Sequence, residues 1–324
     1  MTLLNRLVPD RFVGLMLLTI IVAAMLPARG MALVVLSGLS TITIAMLFFL
    51  HGARISRAAL AGAARRLRLQ LVVLSFTFLA FPLTGVALRP LIEPWIGEAL
   101  VPGFLFLCAL PTTIASSVAM VSLARGNVAA SVINAAISTM LGVIVTPLII
   151  ALLLASSGVE IGMAAIGRIA LILVLPFAIG QFLRPKIGSH VDAHPVVTKM
   201  LDRLTILLAV YSALSAAAAS NLLSAVGWSE IIALVVLALA LLALALATAI
   251  GLGRALGYGH GDRMVLLFNG IHKSAISGTP MARILFPGAQ AGLIILPLLA
   301  YYIPMLTISA ILAARIGARE SPDG

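Results

Sequence analysis

The chain has little of what keeps a soluble protein's surface wet: only 10% of its 324 residues are charged, and just 10 are acidic. It also lacks most of the chemistry that an enzyme would need. A single cysteine, Cys108, excludes an intramolecular disulfide and any cysteine-based metal cluster, and it reads as a small apolar residue in a helix. No glycine-rich phosphate loop stands out, since GLGRALGYGHGD (251–262) follows an apolar run and reads as a helix end and a turn. His190 and His194 flank Asp192 at a spacing that suits a metal pair. Pro195 follows them and no further ligands gather nearby, so they are read as part of a solvated cytoplasmic connection. A buried Ser–His–Asp arrangement has no acid to complete it. An enzyme is not expected.

Hydrophobic residues make up 62% of the sequence, and the mean hydropathy is +1.20. A hydrocarbon core about 30 Å thick takes roughly 20 apolar residues per helix. Windows of that length give ten spans, at 12–27, 32–51, 69–89, 101–123, 128–154, 164–183, 203–226, 231–253, 264–285 and 289–315. The expected fold class is therefore an all-α polytopic membrane protein with membrane lipid as its solvent. Arg6 and Arg11 before the first apolar run also suit a signal peptide, but ten spans need that run as a retained first helix. The net charge of +11 follows topology. With the N-terminus cytoplasmic, Arg29, Arg89, Arg168 and Arg283 fall outside, and every other arginine and lysine except Lys273 falls inside. Both termini are then cytoplasmic, and a nucleic-acid partner is not expected. Eighteen arginines against three lysines fit a bacterial inner membrane.

Five spans in each half make the second half enter the membrane inverted, giving repeats at 1–162 and 163–324. At an offset of 162 residues, TIASSVAMVSLARGNVAAS (113–131) overlies AISGTPMARILFPGAQAGL (275–293). Both contain a breakable polar stretch, about ten helical residues and a glycine, Gly126 or Gly288. Inverted repeats with interrupted helices in matching places are the mark of a secondary transporter. In the first break, Pro111 opens the helix. Thr112, Thr113, Ser116 and Ser117 stand at spacings that share one helical face and can satisfy the freed backbone. In the second, FNGIHKSAISGTP (268–280), Asn269, Lys273 and Ser277 recur every fourth residue beside His272 and Ser274. Gly278, Thr279 and Pro280 are then expected to interrupt the helix.

A charged lysine at a helix centre costs about 2.5–3.5 kcal/mol on insertion scales. Lys273 must therefore face a polar cavity, pair, brace the broken helices through backbone carbonyls, or give up its proton. No carboxylate falls inside a span: Asp10, Asp192, Asp202, Asp262, Glu320 and Asp323 fall in cytoplasmic segments, and Glu93, Glu98, Glu160 and Glu230 at external ones. A lone cation among hydroxyls and amides suits a small organic anion or a proton relay.

FPLTG (81–85), PTTIASSVAMVSLARGNVAAS (111–131) and FNGIHKSAISGTPMA (268–282) together resemble the bile acid:sodium symporter superfamily. The similarity is strongest to a branch with bacterial members and the seventh member of the human solute-carrier bile-acid family. That resemblance implies two inverted five-helix repeats with broken crossing helices 4 and 9. It also implies a core domain of spans 3–5 and 8–10 moving against a panel of spans 1, 2, 6 and 7. Substrate would bind near the crossing. The family's first sodium site maps onto Ser116, Ser117, Ser131, Ala135 or Asn134, and Asn269 in place of a glutamate. Its second maps onto Thr77, Asn269 and Lys273, where an ammonium has no lone pair to offer sodium.

The expected function is alternating-access transport of a small organic anion, sodium symporter-like but with Lys273 replacing part of the cation site. A sodium-independent or proton-coupled carrier, and a channel or regulatory membrane protein on the same fold, remain the alternatives. No cofactor is expected beyond Na+ or H+ as coupling ion. Substrate identity and oligomeric state are left open.

Overall fold

The computed structural model describes residues 11–54, 66–155, 167–168, 170–222, 226–286 and 288–320. Arg6, Arg57, Arg65, Asp10, Glu160 and Asp323 lie outside the described residues, as does the boundary between the expected repeats at 162 and 163. Everything described is helix, turn or short extended linker, with no strand among the described residues. The helices are α1 (Arg11–Met25), α2 (Gly30–Arg54), α3 (Leu67–Ile96), α4 (Val101–Ala109), α5 (Ile114–Leu123), α6 (Val128–Ala155), α7 (Ala170–Ala193), α8 (Pro195–Ala219), α9 (Trp228–Ala255), α10 (His260–Ile271), α11 (Ala275–Leu285) and α12 (Gln290–Arg319).

Seven of these, α2, α3, α6, α7, α8, α9 and α12, are long and apolar enough to cross a bilayer. The pair α4 and α5, bent by 61° across residues 110–113, makes an eighth. Their outer faces carry bare Leu, Ile and Val side chains, such as Ile42, Leu152 and Ile232, as lipid-facing helices do. The protein is a multi-pass membrane protein.

Two spans differ from the hydropathy reading. The sixth and seventh, expected at 164–183 and 203–226, lie at Ala170–Ala193 and Pro195–Ala219. The windows stopped at charged residues, but these continue the helices and find partners. Arg184 pairs with Asp192 at 3.3 Å, and Asp202 with Arg54 of α2 at 3.2 Å. His190 therefore lies on α7, with only His194 left between the two helices, rather than in a loop.

α1, α2, α7 and α8 pack on one another, and α3–α6 pack with α9–α12; α8 also reaches across to α11 and α12. The α2–α7 contact depends on small residues, as helix association in lipid requires. A Cβ on Gly52 would strike the carbonyl oxygen of Phe177, and one on Gly180 that of Phe49. The inner group encloses an apolar core that includes Phe104, Phe106, Phe268, Ile295 and Tyr301. Polar groups inside that core must find partners within it, and most of them gather at the two helix breaks.

Candidate functional site

The first break is where the sequence put it. Leu110 and Thr113 are extended (φ −70°, ψ 147° and φ −87°, ψ 140°) around Pro111, whose ring packs against Gly142 of α6. Breaking the helix frees backbone groups around the linker, and α6 meets two of them. Thr146 of α6 donates to Ala109 O at 2.8 Å, and the backbone N–H of Thr112 donates to Ser138 Oγ at 3.1 Å. Thr112 and Thr113 thus lie in the linker and do not share a helical face with Ser116 and Ser117 on α5. The face expected from their spacing presumed an unbroken helix.

The second break is displaced from its expected position. It occupies residues 272–274, while Gly278, Thr279 and Pro280 lie inside α11. The reason is a cap: Ser274 Oγ accepts from the N–H of Ser277 at 3.1 Å and starts α11 five residues before the proline. The linker is extended at His272 and Ser274 (φ −72°, ψ 128° and φ −81°, ψ 105°). Asn269, Lys273 and Ser277 consequently point to different partners, their four-residue spacing interrupted by the linker. Ile271 O, at the end of α10, accepts from Tyr301 OH of α12 at 2.8 Å. Ala109 O and Ile271 O, at the ends of the helices that precede the two breaks, thus each accept a side-chain hydroxyl from a long neighbouring helix.

The two linkers meet. The N–H of Ser274 donates to Pro111 O at 2.9 Å, and the preceding residue sends its side chain into the end of α4. Lys273 Nζ donates to Cys108 O at 3.0 Å, Leu110 O at 2.9 Å and Thr77 O at 3.1 Å. An ammonium has three N–H donors, and all three are spent. Thr77 O is free because α3 widens to a π turn over Phe76–Ala80, in which Phe81 N–H bonds Phe76 O and the next residue, Pro82, has no N–H to give. Phe81 presents its ring 4.0 Å from Nζ, a cation–π contact. Lys273 is fully buried, and its charge sits at the negative end of the α4 dipole. Of the ways a lysine can survive here, the geometry is that of carbonyl bracing.

His272 faces the other way. Its Nδ1 lies 3.0 Å from Ser116 Oγ and 3.4 Å from Thr113 Oγ1, and those two hydroxyls touch each other. Its Nε2 is buried without a partner, as are Thr112 Oγ1 and Thr279 Oγ1. Ser117 instead donates to Thr113 O, within its own turn. Ser116 is only half-buried, next to exposed Ile114 and Ala115, so this is where the crossing opens.

A separate chain of amides and a hydroxyl lies between α3, α6 and α10. Ser131 Oγ donates to Asn269 Oδ1 at 2.7 Å, and Asn269 Nδ2 donates to Ser131 O at 2.9 Å and to Asn134 Oδ1 at 3.4 Å. Asn134 Nδ2 then donates to Gln70 Oε1 at 2.8 Å, and Gln70 Nε2 to Ala130 O at 3.3 Å. Sequence reasoning missed Gln70 because the third span was opened at residue 69 and Thr77 was taken as its polar partner. The Thr77 hydroxyl is turned to Val73 O at 3.0 Å, and only its carbonyl joins the site. The expected first-site residues are thereby split. Ser131, Asn134 and Asn269 are together, while Ser116 and Ser117 bond to the linkers. Among the described residues no cluster of three or more His, Cys, Asp or Glu can hold a metal ion.

Sequence comparison gives this geometry its family. A family model described as SBF-like CPA transporter matches residues 10–318. The chain belongs to the SBF-like CPA transporter family. A Pseudomonas aeruginosa protein without an assigned function is 43% identical over 97% of this chain and 95% of its own. The Escherichia coli protein YfeH, named as a candidate symporter, is 36% identical over 94% and 92%. Sodium/bile acid cotransporter 7 of Rattus norvegicus is 27% identical over 86% and 82%. The family agrees with the resemblance read from the broken-helix motifs. The protein is a transporter, and not an enzyme.

Proposed function

We propose that the protein carries a small organic anion across the bacterial inner membrane by alternating access, with Lys273 as a built-in cation where relatives import sodium. The observation that supports this best is the Lys273 cage. Three convergent carbonyls at 2.9–3.1 Å are the donor set a hard cation would seek, and here an ammonium fills it. The positive charge this places beside the crossing, with the hydroxyls of Thr113 and Ser116 and the imidazole of His272 at its open side, favours a monovalent anion. The Ser131–Asn134–Asn269–Gln70 chain uses its amide groups on one another and offers no carboxylate, which favours a carrier with at most one coupled sodium.

The architecture of this proposal is ten crossings in two inverted repeats, with α1 and the α10–α11 pair as the two spans too short to qualify singly. Support comes from contacts that lie on the axis such repeats would share: Thr205 Oγ1 donates to Thr43 O, 162 residues away, at 3.4 Å. In that frame α3–α6 and α9–α12 form the core domain, and α1, α2, α7 and α8 the panel. The test is counterflow in proteoliposomes with labelled monovalent organic anions, monocarboxylates and the sulfonate taurocholate among them, for wild type and Lys273→Gln. Saturable counterflow of one such anion that Lys273→Gln abolishes is expected. Its absence across the set, or transport indifferent to the substitution, overturns the proposal.

A further inference from the structure

Away from the crossing, one carboxylate that hydropathy assigned to a cytoplasmic loop turns inward. Asp202 lies two turns into α8, and its side chain is 13% exposed against α2. Oδ2 meets Arg54 NH1 at 3.2 Å. Oδ1 is buried with no hydrogen-bond partner and faces His51 Nε2 at 3.8 Å. His51 is itself buried at 7% exposure, stands edge-on to Phe48, and leaves Nδ1 unpartnered as well. A buried polar atom without a partner costs free energy, and Oδ1, unpartnered beside His51 Nε2, marks a place that a proton between the two would complete.

We infer that His51 and Asp202, steered by Arg54, form a proton-binding site in the α2–α8 helix pair. A proton entering from the cytoplasmic end settles on His51 Nε2 and turns the 3.8 Å approach into a charge-assisted hydrogen bond to Oδ1. The cluster then goes from neutral to a single positive charge. Proton rather than sodium is the ligand because a nitrogen faces the carboxylate and Arg54 already neutralises it, whereas sodium seeks several oxygens. Among the described residues, other charged groups on the packed helices are engaged elsewhere: Arg184 of α7 with Ala53 O and Asp192, and Arg203 of α8 over the ring of Phe12.

The site bears on transport through α8. The same helix packs on α11 and α12 further along, where Gly292 sits against Ala213. A charge gained at the His51–Asp202 pair is thus applied to a helix that touches both helix groups and borders the second half of the broken span. This names the coupling ion of the proposed carrier and rests on that reading for its meaning. The site itself does not.

Deuterium exchange at the imidazole C2 position, read by mass spectrometry of the His51 peptide across pH 5 to 9, follows protonation in the full-length wild type without any transport assay. A sigmoidal profile for His51 whose midpoint moves in Asp202→Asn is expected. A flat His51 profile, or a midpoint indifferent to Asp202, overturns the inference. Because the wild-type profile alone can reject the site, an unfolded Asp202 variant does not protect it. A proton site with no counterflow would leave this inference standing and remove the carrier reading; counterflow with a flat His51 profile would do the reverse.

Discussion

Asn269 shows how much one side chain decides. As an amide it donates two hydrogen bonds, to Ser131 O and Asn134 Oδ1, and accepts one from Ser131 Oγ. Asn269→Asp replaces the two donors with an oxygen facing two oxygens, a contact that only a cation bridges. The melting temperature of that variant should become higher in sodium chloride than in choline chloride, and equal values would contradict this account of the amide chain. Lys273 and Asn269 were legible in the sequence because a charge and an amide inside an apolar span demand a reason. The partners of Lys273 were not, since backbone carbonyls carry no sequence signal. Asp202 was missed because it sits just outside the hydropathy window, which assigns polar residues there to water, and Gln70 because Thr77 was taken as the polar residue of its span. The side-chain positions show burial instead.

The helices themselves depend on where backbone groups are satisfied. Pro111 marked the first break correctly, because Gly142, Ser138 and Thr146 of α6 are placed to receive the opened linker. Pro280 misled, because the Ser274 cap had already restarted the helix, and a cap of one hydrogen bond is not visible against a proline in a sequence pattern. Ser274→Ala should therefore loosen α11 by about 1 kcal/mol, measured as faster backbone amide exchange over 275–278; exchange unchanged there would place the start of α11 under other control. Close helix approach gives a larger effect. Gly180→Leu drives a side chain into the backbone of α2 at Phe49, and overpacking of this kind costs roughly 1–3 kcal/mol. A lower melting temperature than Gly38→Leu is expected, since nothing lies within 4 Å of a Cβ on Gly38.

For the whole molecule, the apolar runs and the two broken stretches gave the all-helical membrane class, while a panel of spans 1, 2, 6 and 7 was implied by the family resemblance alone and by no pattern in the residues. The orientation expected from the arginines is open to a direct check. Cys108 is buried, so single cysteines placed at the ends of α8 report sidedness. Ser220→Cys should react with a membrane-impermeant maleimide in intact cells, and His194→Cys only after permeabilisation; the opposite pattern would invert the topology. The central claim is that Lys273 holds the place of a cation for the molecule as a whole. Lys273→Ala leaves Thr77 O, Cys108 O and Leu110 O without their donor, and each unsatisfied buried group costs about 1–3 kcal/mol. The most direct measurement is the melting temperature of wild type and Lys273→Ala in sodium chloride against choline chloride. The account predicts a wild type that cannot tell the two salts apart and a destabilised variant that sodium partly restores. Sodium stabilising the wild type, with no rescue of the variant, would contradict it.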